Sequence, residues 1–420
     1  MNSPLMPSQA ALQPQEKRSP VQEMTAGMSL GLPKETTLQE KRIALAPSAV
    51  RFFTDNGIRV IMEAGAGDHA RFSDRQFSEA GAEITSDKKS VFTCDTLLKV
   101  DFPTQAEIDL MNSGQLLISA LQWNQLDGAL IKSLQDKKVN AMAYEFLEDE
   151  SGAKPIIRAM SEMAGRASVM IASEMLNSQN GGKGELLGGL PGIPPTQVVV
   201  LGAGAVGEYA TKTALGLGAN VYLFDNNPYR LRRIHSAVGQ SIFSSTLHPQ
   251  ALKKAIQSAD VVIGALAGKD SRSPMVVSEE MVMSMKEGSV IVDVAIDKGG
   301  NFETSESRNH NNPVYEKHGV LHYCVPNMGS RYSRTASYSL SNVLAPMLDD
   351  MHKELQNTLH QLKVLHAFPP GSNFEDEHSG LVKAILVMTK QLATLKDSHS
   401  LHDAVKPQSY GNQISVNDLR

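Results

Sequence analysis

Apolar residues along this chain follow two rhythms that take turns from about residue 29 to residue 330. Short runs rich in Val, Ile and Leu at Ile58 to Met62, Thr96 to Val100, Gln115 to Ser119 and Lys138 to Ala143 read as strands. Between them, Ser48 to Asp55 is a helix opened by Pro47 and closed by Asn56-Gly57, and Gln105 to Asn112 and Gln125 to Gln135 also have helical spacing. Strands separated by helices predict a parallel sheet. Arg158 to Asn177 then reads as one long helix with alanines and methionines on its apolar face, a connector between two domains.

Ser178 to Pro195 breaks the rhythm with six glycines and three prolines, a loop or linker composition. The alternation resumes with strands at Gln197 to Leu201, Val221 to Phe224, Val261 to Gly264 and Val290 to Val294 and an alanine-rich helix at Tyr209 to Leu217. Helical spacing returns at Ser337 to Glu354 and Gly380 to Lys396, where the chain is expected to fold back over its first domain. Residues 1–28 are expected to be a disordered tail, and the segment after Ser398 a polar, frayed one. The fold class is therefore α/β, with residues 29–157 and 334–397 in one domain and 158–333 in a second.

Composition narrows the function by exclusion. The net charge of -5 is mild, and Arg230-Leu-Arg-Arg233 is too short a basic run to suggest a nucleic-acid or membrane surface. The two cysteines, Cys94 and Cys324, are far apart and fit a reducing cytosol. No apolar run approaches the roughly 20 residues that a bilayer span needs, and no signal-peptide pattern is present, so a soluble cytoplasmic protein is expected. His318 and His322, four apart, are the nearest approach to a metal-ligand pair. Gly319 and the β-like run from Val320 preclude a shared helical face, and His310 completes no known pattern, so no metal is expected.

The chemistry-bearing stretch is Gln197-Val-Val-Val-Leu-Gly-Ala-Gly-Ala-Val-Gly207 with Asp225 beyond it. Strand, Gly-x-Gly-x-x-Gly turn and helix come in the order that a Rossmann dinucleotide site requires. Gly202 allows the tight turn, Gly204 lets a pyrophosphate approach bare backbone, and Gly207 lets the helix pack on the strand. Ala205 and Val206 within the glycine turn, and Arg230 after the second strand, are further candidate cofactor contacts. Asp225 can accept from the adenosine ribose and would repel a 2′-phosphate, which favours NAD over NADP.

Several further segments resemble the alanine dehydrogenase and proton-translocating transhydrogenase alpha-subunit family. They are Gly31-Leu-Pro-Lys-Glu35 with Glu40-Lys-Arg-Ile-Ala-Leu-Ala-Pro47, Glu63-Ala-Gly-Ala-Gly67, Leu97-Leu-Lys-Val100, Met160-Ser-Glu-Met-Ala-Gly-Arg166, Gly184 to Gly192, Val292 to Gly300 and Tyr323 to Met328. The stretch from Met160 looks like the alanine dehydrogenase branch, because it lacks the Arg-Gln-Asp loop of the transhydrogenase branch. The resemblance implies two Rossmann-like domains around a cleft, a homo-oligomer (a hexamer), and NAD-dependent interconversion of L-alanine with pyruvate and ammonia.

By the same likeness, Arg42 corresponds to the arginine that grips the substrate carboxylate, a task suited to a planar guanidinium. Lys99 corresponds to the lysine on the carboxylate or keto oxygen, and Asp297 to the aspartate beside the nicotinamide ribose that assists the reacting water or amine. Asn327 and Met328 correspond to the loop over the nicotinamide, and Ser161 to a cofactor-contacting serine. Where the family carries an acid/base histidine this chain has Gln122, which can hydrogen-bond a carbonyl but cannot exchange a proton usefully near neutral pH. A dehydrogenase for another amino or imino acid, or an NAD(H) sensor without catalysis, therefore stays open beside alanine oxidation. Arg331 adds a cation that alanine does not require. If it points inward, its expected partner is a second carboxylate or a cofactor phosphate.

Overall fold

A computed structural model describes residues 29–37, 39–121, 128–149, 151–268 and 272–366. The expected tails at 1–28 and after Ser398, the expected helix at Gly380 to Lys396, and Gln122 lie outside the described residues. The first sheet contains β1 (Ser29–Leu32), β2 (Arg59–Glu63), β3 (Glu83–Thr85), β4 (Thr96–Leu98), β5 (Leu116–Ser119) and β6 (Asn140–Ala143). These pair in the order β3-β2-β1-β4-β5-β6, all parallel. The second sheet contains β7 (Gln197–Leu201), β8 (Asn220–Phe224), β9 (Phe243–Ser245), β10 (Val261–Gly264), β11 (Val290–Asp293), β12 (Val314–Lys317) and β13 (Val320–Tyr323). Its order is β12-β13-β11-β10-β7-β8-β9, parallel except for the antiparallel edge strand β12.

Both sheets turn back on themselves beside their first strand, between β1 and β4 and between β7 and β10. At such a switch point the loops leaving the strand ends diverge and leave a crevice. The valine-rich β7 shows why the strands are almost uniformly apolar: Val198 and Val200 join the core on one face, Val199 and Leu201 that on the other. Among strands not foreseen from the pattern, β3 and β9 are three-residue edge strands, too short to show a period.

Prolines open helices at Pro47, Pro155, Pro228 and Pro249, where a missing N–H costs nothing. The long helix accordingly spans Pro155–Met175, starting before the expected Arg158. At Gly165 it presses on the helix that leaves the glycine turn, and a Cβ there would collide with the Val206 carbonyl. The last described helix, Ser333–His366, is longer than expected and runs through Pro346. Its Leu340, Leu344 and Leu348 join the core of the first sheet with Leu30 and Leu32. On the same helix, Ser337 Oγ and Ser341 Oγ accept from the amides of Ile43 (2.9 Å) and Ala46 (3.1 Å), fixing the loop that carries Arg42.

The glycine-rich segment is a loop as expected, yet it is held to the second sheet. Lys183 Nζ pairs with Asp260 Oδ1 at 2.6 Å, and Asp260 Oδ2 accepts from the Gln197 amide at 2.8 Å.

Candidate active site

At the second switch point the three glycines meet three different demands. Gly202 has φ +110°, and a Cβ there would lie 2.5 Å from the Ala265 carbonyl oxygen at the end of β10. A Cβ at Gly207 would overlap the Gly202 carbonyl oxygen. At Gly204 a Cβ would meet nothing within 4 Å, so the bare backbone faces open space. Gly204 is the N-cap of helix Ala205–Gly216, whose first amides, including those of Ala205 and Val206, lack intrahelical partners. The open space is part of a cavity of about 350 Å³ lined by Gly202, Gly204, Asp225, Arg230, Leu266 and neighbours. Asp225 is buried at the end of β8, accepting from the amides of Ala203 and Asn227 at 2.7 Å each, and Arg230 Nη1 stands 3.9 Å from its Oδ2. Each carboxylate oxygen keeps a second lone pair for a ribose hydroxyl. Open backbone, helix amides and a buried acid in one cavity fit a dinucleotide.

At the first switch point the loops after β1 and β4 bring charges together. Lys99, 1% exposed, donates from Nζ to Glu35 Oε2 at 2.9 Å and lies 3.5 Å from Glu107 Oε2. Glu35 Oε1 accepts from the Val100 amide at 2.7 Å, and Glu107 Oε1 pairs with Lys88 Nζ at 3.0 Å. Burial pushes the Glu35 carboxyl up to about 7 against the pull of Lys99. Lys99 itself is raised: its burial opposes the charge, and the attraction of Glu35, Glu107 and Asp101 prevails.

Arg42 is held on one edge by Glu40, with Nε to Oε1 at 2.7 Å and Nη2 to Oε2 at 2.6 Å. Its other edge, at Nη1, meets Met160 Sδ at 3.3 Å and lies beside Gly329. The Glu40 carboxyl is nearly enclosed, which by itself would raise its pKa. The Arg42 guanidinium and the Asn327 side chain outweigh that and hold it below the usual carboxylate range. Asn327 Nδ2 donates to Glu40 Oε2 at 2.9 Å and to the Gln39 carbonyl at 3.3 Å. The 327–331 turn is therefore fastened across the cleft onto residues 39–42, and Ser330 Oγ accepts from the Lys41 amide at 2.8 Å.

Asp297 lies in a single 3-10 turn, Ile296–Lys298, beyond the end of β11. It keeps a solvent-facing side, while partial desolvation raises its carboxyl to about 6 against a hydrogen bond from the Asn327 backbone. The turn-forming task belongs to Asp293, which is fully buried and accepts from the amides of Ala295 and Asn301 and from Ser305 Oγ. Met328 is 4% exposed and packs in the core of the second sheet, which is how it fixes its end of the turn. Ser161 follows Met160 inside the long helix, well past its N-cap Lys154, so it does not cap that helix. Arg331 Nη2 pairs with Glu174 Oε2 at 2.6 Å, so its carboxylate partner comes from the protein.

His322 is fully buried between Val320 O and Thr304 Oγ1, and burial lowers it to about 4, while His318 pairs with Glu279. Among the described residues no group of three or more His, Cys, Asp or Glu could hold a metal ion, and no helix is long and apolar enough to cross a membrane.

Family models place the chain. Residues 31–166 match the N-terminal domain and residues 168–368 the C-terminal domain of alanine dehydrogenase/PNT. The chain belongs to the alanine dehydrogenase/PNT family. The alanine dehydrogenase of Methanococcus maripaludis is 40% identical over 76% of this chain and 86% of its own length. Alanine dehydrogenase 2 of Staphylococcus aureus is 38% identical with the same coverage. Among solved structures, an L-alanine dehydrogenase matches with a TM-score of 0.74 and 38% identity over 79% of this chain and 90% of that one. A transhydrogenase from Sinorhizobium meliloti matches with a TM-score of 0.69 and 27% identity over 77% and 94%. Membership makes the dinucleotide cavity that of a pyridine-nucleotide-dependent oxidoreductase family.

Within this alanine dehydrogenase/PNT fold, the structure brings Arg42, Asn327 and Asp297 to one seam and Lys99 to the neighbouring switch point. Glu35, Glu40 and Glu107 had not been singled out, although each holds a site cation. A local signal existed for Glu40, two positions before Arg42, and for Glu107, on the helix after the Lys99 strand, whereas Glu35 meets Lys99 from 64 positions away.

Proposed function

We propose that this protein oxidises L-alanine to pyruvate and ammonia, reversibly and with NAD. The observation that carries the reading is the edge of Arg42 turned away from Glu40, which lies against Met160 and Gly329. A guanidinium whose first edge is occupied presents the second edge already oriented for a carboxylate. Gly329 backs Nη1 without a side chain, and a Cβ there would stand in ordinary contact with Nη1 at 3.7 Å and with Met160 Sδ at 3.5 Å.

Gly202, Gly204, Gly207, Ala205 and Val206 would hold the pyrophosphate, Asp225 and Arg230 the adenosine ribose, and Ser161, Asp297, Asn327 and Met328 the nicotinamide side. Asp225 beside that ribose favours NAD over NADP. The nicotinamide supplies the hydride acceptor. Lys99, cationic beside Glu35, stabilises negative charge on the carboxylate or the developing keto oxygen. Asp297, with its carboxyl raised to about 6, accepts a proton from the water that attacks the imine and returns it as ammonia leaves. Gln122 contributes a hydrogen bond and no proton. In the net reaction alanine, water and NAD+ give pyruvate, ammonium, NADH and one proton.

Residues 29–157 with 334–397 would form the substrate domain and 158–333 the dinucleotide domain of a cytoplasmic homo-oligomer, a hexamer by likeness. Mixing the protein with NAD and L-alanine and following NADH absorbance tests the activity. Turnover no greater than a heat-killed control, with NADH still bound, would leave a sensor. A larger kcat/KM for another amino acid in a panel would move the assignment to that substrate.

A further inference from the structure

One carboxylate touches both halves of the candidate site. Glu40, 3% exposed, binds Arg42 through both oxygens, at 2.7 and 2.6 Å, and accepts the Arg42 amide at 2.8 Å. Its Oε2 also accepts from Asn327 Nδ2 at 2.9 Å, from the opposite wall of the cleft. Asn327 sits in the left-handed region at φ 53°, ψ 50°, so the turn is bent to bring its amide to this oxygen. Its backbone faces Asp297. The neighbouring Gln39 reinforces the bridge, accepting from Asn327 through its carbonyl and from the His310 amide through Oε1, both at 3.3 Å.

We propose that Glu40 is a positioning residue that couples occupation of the Arg42 carboxylate site to closure of the Asn327 turn over the cofactor. The inference rests on the reading of Arg42 and Asn327 given above. When a second carboxylate shares the guanidinium, the Arg42–Glu40 pair weakens, and Oε2 becomes a stronger acceptor for Asn327 Nδ2. That holds the turn more firmly in its closed position. If instead the turn swings away, Glu40 loses a hydrogen bond while remaining largely buried, which disfavours opening once substrate is bound. Coupling of this kind is reciprocal, so the cofactor tightens the substrate by the same factor.

The test measures NADH affinity by fluorescence with and without a saturating 2-oxo acid, in the absence of ammonia so that nothing turns over. Pyruvate, glyoxylate, 2-oxobutyrate and 2-oxoglutarate form the panel. The wild type should bind NADH about 5- to 150-fold tighter with the best panel member. Glu40→Gln should bring that ratio close to one. A purely structural role would instead lower both separate affinities and leave the ratio intact. Asn327→Ala removes the same bond from the other wall and should give the same loss, and the double variant should lose no more than either single one. A ratio that survives in folded Glu40→Gln or Asn327→Ala protein, or a wild type in which no panel member changes NADH affinity, overturns the proposal. Failure of the alanine reading shows separately, as absent turnover in the complete assay.

Discussion

The two switch points make opposite use of the same topology. Each lies beside the first strand of a parallel sheet that turns back on itself, β7 against β10 in one and β1 against β4 in the other. The dinucleotide crevice is made of backbone: three glycines, helix amides and one buried acid. The other is made of charge, with Lys99 enclosed by Glu35 and Glu107 and Arg42 fastened to Glu40. The backbone site has no room for added atoms at Gly202 and Gly207, whereas a charged site tolerates no unpaired partner.

The largest expected effect comes from breaking the charged site. Lys99→Met leaves buried Glu35 without its cation and Glu107 with Lys88 alone, and should cost about 3–5 kcal/mol in urea unfolding at pH 7. The loss should shrink at pH 5, where those carboxyls take up protons. An unchanged midpoint at pH 7 would show that the two acids do not need the cation.

A smaller effect is expected from the backbone site, and two alanines separate its parts. Gly207→Ala collides with the Gly202 carbonyl and should destabilise the fold by about 1–3 kcal/mol while weakening NADH binding. Gly204→Ala meets open space, so it should lower NADH affinity with the melting temperature almost unchanged. Equal melting losses in the two would contradict the division of labour among the glycines.

Glu35 sharpens the contrast through pH. Its carboxyl is raised from 4.5 to about 7 in the folded protein, so the native state binds this proton more tightly than the unfolded chain. Its contribution to stability is fully present below about pH 4.5 and is lost as pH rises through about 7. Glu35→Gln should flatten the decline across that window, read as melting temperature against pH, and a variant curve parallel to the wild type would count against it. The smallest effect is expected at Arg331→Ala. Arg331 and Glu174 are 34% and 56% exposed, and such pairs contribute less than about 1 kcal/mol. A large loss of NADH affinity in that variant would mean that Arg331 reaches the cofactor.

The two regions also differ in how far they could be read in advance. β7, the glycine turn and Asp225 were visible because each demand falls on consecutive or nearly consecutive residues. The long helix was visible from its apolar spacing, and its true start was marked by Pro155, whose preference for the first helical position fixes that end. Gly165, an interior helix glycine, was a readable sign of close packing. Arg42, Lys99, Asp297 and Asn327 were reached through likeness to a family. Glu40 stands two positions from Arg42, but its link to Asn327, 287 positions away, has no local sign.

The sequence by itself determined the α/β alternation, the dinucleotide turn and the acid that follows it, since strand, turn and helix preferences act between near neighbours. Only the tertiary structure decided which carboxylate holds which cation, that Met328 belongs to the core, and that Arg331 already has Glu174 as its partner. Those outcomes depend on burial, which makes an ion pair obligatory, and on the meeting of loops from two sheets, which no local pattern encodes.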